Sequence, residues 1–228
     1  MLMVASTSMS GGIGNHVATK TVEENYKELE IVDFLYMLIS GWCSICLLCL
    51  SQDFMRLWMG ESMMLGTHTI VMMCLYFYVL KMGDMKTMYS SANGLWWKHK
   101  YRSIAETIFN VLLNVILGKL FGIDGIVVAT IISLLICNFF WASYIVFDSY
   151  FKGSLIIKYF KYHFKYLIFT AIISCITFLI CNRISVGNAL ESLLLKGMVC
   201  LIIPTVLYFA IYSRTRIWKV SLSTVKSK

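Results

Sequence analysis

The chain has 228 residues, of which 59% are hydrophobic and only 14% charged, with a formal net charge of +8. A soluble domain usually carries about 25% charge, so composition argues against a water-soluble globular class and predicts an all-α integral membrane protein. The basic excess lies in connections between apolar segments, where it reads as a topology signal; no nucleic-acid partner is expected.

Residues 1–32 open with a short apolar stretch diluted by Ser, Thr and Gly, then a Glu/Lys-rich piece, Thr19–Glu30. The opening has no basic leader region, so no cleavable signal peptide is read there. It is too short and polar for a complete span and is expected to be the end of a helix plus a cytoplasmic connection. The Glu/Lys-rich piece is expected to be an exposed helix or loop.

Six apolar segments follow within 33–213, at Phe34–Leu50, Met63–Leu80, Ile104–Phe121, Ile126–Phe147, Tyr166–Cys181 and Leu193–Tyr212. Most approach the ~20 residues that cross a hydrocarbon core of about 30 Å. The expected architecture is a six-helix transmembrane bundle with a basic tail at 214–228. In the fourth segment Gly125, Ala129 and Ser133 recur every four residues, a face that another helix can approach closely. Pro204 is expected to kink the sixth segment as a packing feature. The Lys/aromatic connection 148–165 has the pattern of a short amphipathic helix on the inner leaflet.

Charge in the connections alternates. One set holds Lys20 and Lys27, then Lys81, Lys86, Lys98, Lys100 and Arg102, then Lys152, Lys158, Lys161 and Lys165, then Arg214, Arg216, Lys219, Lys226 and Lys228. The other set holds only Arg56, Lys119, Arg183 and Lys196. This asymmetry predicts that both termini are cytoplasmic.

The third segment carries the sharpest functional signal. Glu106, Asn110 and Asn114 fall within about 80° of one helix face, widened by Ser103 and Thr107. Hydrocarbon offers such groups no partners, so the stripe is expected to face protein or a hydrophilic cavity. Interhelical hydrogen bonding and the lining of a path both account for it. Asn93 precedes the stripe, and Asn138 is a second polar residue at membrane depth, read as interhelical glue. The run Cys43, Cys46, Cys49 lies in an apolar segment without polar neighbours and is read as packing, so no metal and no cofactor are expected. His-Glu-x-x-His, Gly-x-Ser-x-Gly and P-loop motifs are missing from the sequence, and no catalytic residue is assigned.

Four stretches share a resemblance. They are Gly14-Asn15 before Thr19–Glu30; Asp53-Phe54-Met55-Arg56-Leu57-Trp58-Met59-Gly60; Tyr89-Ser90-Ser91-Ala92-Asn93-Gly94-Leu95 with Lys98–Arg102 and Glu106–Asn114; and Phe121-Gly122-Ile123-Asp124-Gly125-Ile126 with Ala129–Ser133. In this order they resemble the C-terminal half of bacterial polysaccharide flippases, whose superfamily includes the MATE-like multidrug exporters and the lipid II flippase. The resemblance implies one lobe of a two-bundle transporter in the bacterial inner membrane. It implies alternating access for an undecaprenyl-type lipid-linked oligosaccharide, used in O-antigen or capsule synthesis. It also implies a chain of about twice this length, so that the partner of this half is a missing N-terminal half or a second copy, besides membrane lipids. Cavity cations that attract pyrophosphate belong to the same expectation, although the six segments themselves hold few. The alternatives are a non-transporting membrane remnant or scaffold, and a small-molecule exporter of the same superfamily.

Overall fold

The computed structural model describes residues 2–184 and 188–226, with side chains from 10 to 184 and from 188 to 223. Lys228, the side chain of Lys226 and the side chains that open the chain lie outside this description. Among the described residues the chain is helical with no strand. The helices are α1 (Leu2–Thr19), α2 (Val22–Met59), α3 (Thr67–Lys81), α4 (Asp84–Ala92), α5 (Trp96–Ser133), α6 (Ala142–Ser149), α7 (Ile156–Asn182), α8 (Ala189–Tyr212) and α9 (Arg216–Lys226). A π-helical stretch, Leu134–Trp141, joins α5 to α6.

Four helical runs are long and apolar enough to cross a membrane: Val22–Met59, Trp96–Ser149, Gly153–Asn182 and Ala189–Tyr212. The second segment of the sequence reading becomes α3, which at 15 residues spans about 22 Å. The third and fourth segments lie in one helical run, but that run folds back on itself. At Gly122 the backbone leaves helical space with φ 62° and ψ −137°. Ser133 Oγ then reaches the Glu106 carbonyl at 3.5 Å and Lys98 Nζ reaches Ser149 Oγ at 2.9 Å. A continuous helix would hold Glu106 and Ser133 about 40 Å apart.

The hairpin is tight because its contact surface is small. Gly125, Ala129 and Ser133 are all buried, and a Cβ on Gly125 would stand 2.0 Å from the Leu117 carbonyl oxygen. The outer face of the first arm is the reverse of a soluble surface. Ile104, Ile108, Val111, Leu112, Val115 and Ile116 are all more than half or about half exposed. Monomeric soluble proteins rarely carry so long an apolar surface.

The chain divides into two compact units, Met1–Met37 with Tyr78–Phe164, and Leu38–Phe77 with Lys165–Lys228. In the first, the Glu/Lys-rich piece is more than an exposed connection. Thr21 and Glu24 form a reciprocal capping box that starts α2. Asn25 is fully buried and donates to Tyr150 Oη at 2.9 Å, while Tyr26 and Leu29 enter the core. The connection 148–165 also differs from an in-plane surface helix. Phe151, Tyr159 and His163 are buried, residues from Ile156 onward are the first turns of α7, and Lys158 pairs with Glu30 at 2.7 Å. Two of its aromatics enter the core: Tyr89 packs on Phe151 at 5.2 Å and Phe147 on Tyr159 at 5.0 Å.

In the second unit α2, α7 and α8 pack together. Gly41 lies against Thr170 and Tyr208, and Trp42 Nε1 donates to the Cys200 carbonyl at 2.9 Å. Further along, the half-buried Lys196 pairs with the buried Asp53 at 2.6 Å, with Ser192 donating to the same carboxylate. Helix α8 runs through Pro204 within one helical element. Helix α9 is amphipathic, and its Trp218 meets Phe209 edge-on at 5.9 Å.

Two substitutions test the hairpin. Gly122→Val places a branched side chain at a positive φ and is expected to cost about 1–3 kcal/mol. Gly125→Leu is expected to separate the arms through the Leu117 contact. Equilibrium unfolding in detergent micelles checks both; unchanged midpoints would contradict the fold-back.

Candidate functional site

The polar stripe follows the inner side of the hairpin's first arm. Arg102 and Glu106 pair at 2.6 Å across one turn, with side chains 15% and 25% exposed. Thr107 Oγ1 donates to the Ser103 carbonyl, and Asn114 Nδ2 donates to Asn110 Oδ1 at 2.8 Å. Arg102, Glu106, Asn110 and Asn114 are therefore brought into one line about 18 Å long, half-buried, beside the apolar outer face. Ser103 and Thr107 lie on the more exposed flank. Arg102 Nε and Asn114 Oδ1 have no hydrogen-bond partner among the described residues. The stripe thus combines one ion pair and one amide pair with unused hydrogen-bonding capacity.

The two secondary residues are placed elsewhere. Asn93 closes α4: its side chain donates to the Tyr89 carbonyl at 2.8 Å, and Gly94 follows at φ 64°. That is a helix C-cap. Asn138 acts through its backbone, whose carbonyl accepts a hydrogen bond from Lys86 Nζ at 2.9 Å.

Lys86 is the residue that sequence reasoning missed. It was counted among connection cations, yet it is fully buried. The reason lies in two irregular pieces of backbone. The π-helical stretch Leu134–Trp141 offsets its carbonyls from the regular ladder, as such insertions do, and Lys86 meets one of them. The break between α3 and α4 leaves the Met82 carbonyl outside a helix. His163 Nε2 donates to it at 2.7 Å and Tyr159 Oη at 3.4 Å. Phe139 serves both plugs, with its ring 5.4 Å from the Lys86 ammonium and stacked on His163 at 5.1 Å.

Carboxylates complete the cluster. Asp33, buried on α2, lies 3.4 Å from His163 and is the strongest favourable charge acting on Lys86. Asp84 accepts from Tyr36 and Lys81. Arg102 and Glu106 act on Lys86 through space in opposite directions. Burial pushes the Lys86 ammonium down to about 7 from 10.5, with Asp33 opposing and Arg102 adding to the fall. Gly83 leaves room for the Lys86 ammonium, since a Cβ at that position would stand 2.5 Å from Nζ and displace it. A sequence signal existed in Lys81, Asp84 and Lys86 at close spacing, but burial of the last was legible only from the packing around it.

No family of known proteins, no curated protein and no solved structure gives a significant match to the chain.

The depressed lysine makes a prediction about pH. Between about 7 and 10.5 the unfolded chain holds a proton on Lys86 that the folded chain has lost. Stability therefore rises with pH across that window, by up to about 1.4 kcal/mol per pH unit from this group. Unfolding of the chain and of Lys86→Met, compared through the window, should show the rise in the first and its loss in the second. Parallel curves would contradict the assignment.

Proposed function

We propose that the chain is a membrane transporter, the C-terminal half of a flippase for undecaprenyl-type lipid-linked oligosaccharides. It would act in the bacterial inner membrane with both termini in the cytoplasm. In this reading the bundle crosses six times: α3 joins the crossings, and the hairpin supplies two. The observation that carries the reading is the half-buried line Arg102, Glu106, Asn110 and Asn114, beside an outer face of exposed Ile, Leu and Val. A lipid-linked substrate needs both environments, hydrocarbon for its polyprenyl tail and hydrogen-bonding groups for its head. Arg102 places a half-buried positive charge at the head of the line, which the apolar segments by themselves lack.

A second reading is favoured by the pairing within the stripe. Arg102 is matched by Glu106, and Asn110 by Asn114, as in a helix pair held together without any cargo. In that reading the chain is a membrane scaffold or remnant that transports nothing.

One experiment separates the two. The chain is reconstituted in vesicles with a fluorescent undecaprenyl-pyrophosphate oligosaccharide, alone and together with a six-span first half. Head-group exposure to an external glycosidase is followed for the wild type and for Glu106→Leu, Asn110→Leu, Asn114→Leu combined. The flippase reading expects exposure above that of protein-free vesicles, reduced to background by the triple substitution. Background exposure in every arrangement would sink that reading and leave the scaffold.

A further inference from the structure

The second unit gathers thiols from three helices. In the sequence, the cysteine run of α2 stands without a second ligand group. The fold supplies those groups. The Sγ atoms of Cys49 on α2, Cys181 on α7 and Cys200 on α8 all lie within 4.8 Å of one another. The three residues are 6%, 1% and 1% exposed. Cys46, one turn before Cys49 on the same face of α2, interacts with the Cys200 thiol.

The helices that carry these thiols are pinned on both sides of the cluster. Below it, Trp42 donates to the Cys200 backbone and Gly41 lets α2 approach Tyr208. Above it, the Asp53–Lys196 pair joins α2 to α8. Asp53 is one turn beyond Cys49 and Lys196 one turn before Cys200, because the two helices run in opposite directions. A largely covered ammonium therefore sits about one helical turn along the chain from two of the sulfur-bearing residues.

We propose that Cys49, Cys181 and Cys200, with Cys46 as a fourth donor, form a binding site for a soft d10 metal ion, Zn(II) or Cu(I). Metal–sulfur bonds of about 2.3 Å place sulfurs roughly 3.8–4 Å apart, a contraction that small side-chain rotations supply. The donor set is sulfur alone, which selects soft ions over Mg(II), Ca(II) or Mn(II). Each ligating thiol gives up its proton to solvent as the metal–sulfur bond forms. Lys196 offsets part of the charge left by the thiolates, with Asp53 fixing its position, the role of an outer partner in a metal centre. Three donors suit trigonal Cu(I), and the addition of Cys46 gives the tetrahedral set that Zn(II) takes in closed sites.

The test uses the full chain, reduced and in detergent, loaded anaerobically with Zn(II) or with Cu(I) in separate arms. Metal content after desalting should reach one ion per chain, and X-ray absorption should show a shell of three or four sulfurs. Cys200→Ser is expected to abolish retention in both arms and Cys46→Ala in the Zn(II) arm only, while Cys175→Ala, an exposed thiol outside the cluster, retains full loading. Lys196→Met is expected to weaken binding by about 10- to 100-fold. Absorption from the wild-type chain keeps the test decisive even where a variant unfolds. A nitrogen or oxygen shell, no metal retained in either arm, or a disulfide formed in the cluster in place of loading would each overturn the proposal.

Discussion

A lysine with no exposed surface has to be neutralised, hydrogen-bonded or both, because an isolated buried ammonium is costly. Lys86 meets that demand in three ways. Its proton donors reach a backbone carbonyl, its charge lies over an aromatic ring, and Asp33 acts on it from α2. The first unit is arranged to make these meetings possible. Helix α2 brings Asp33, α4 brings Lys86, the π-helical stretch brings the Asn138 carbonyl with Phe139, and α7 brings His163 and Tyr159.

The same constraint accounts for the irregular backbone. A π-helical stretch and a helix break each leave carbonyls that a regular helix would have satisfied within itself. In water, solvent would take them. Here Lys86, His163 and Tyr159 do so. The polar groups that look dispersable in the sequence are plugs for particular backbone atoms. The hairpin next to them follows the opposite rule: its first arm and its return pack through glycine, alanine and serine, so the backbones approach and the polar stripe is kept on the inner side.

Legibility in the sequence divided along physical lines. The helical class was readable from apolar runs, and a face open to close helix approach from Gly125, Ala129 and Ser133, because local period and side-chain size are written residue by residue; which helix packs there was not. The alignment of Glu106, Asn110 and Asn114 followed from helix geometry alone. What could not be read was burial created by distant chain. Lys86 looked like a connection cation because charge is a property of the residue and depth is a property of the packing. Tyr159 and His163 looked like a surface pattern for the same reason. Asn138 was noticed for its side chain, whereas its carbonyl makes the decisive contact, a consequence of a π-helical stretch that no propensity marks. The cysteines of α2 looked inert because Cys181 and Cys200 lie more than a hundred residues away in the sequence.

The central claim is that Asp33 and Lys86 are energetically one element of the core. A double-mutant cycle tests it most directly, with unfolding free energies for the wild type, Asp33→Asn, Lys86→Met and the double variant. Each single change should destabilise, since it removes one side of an interaction between two buried groups, and the double variant should lose less than the sum. Additive losses would contradict the account, because they would show that the two groups do not depend on each other.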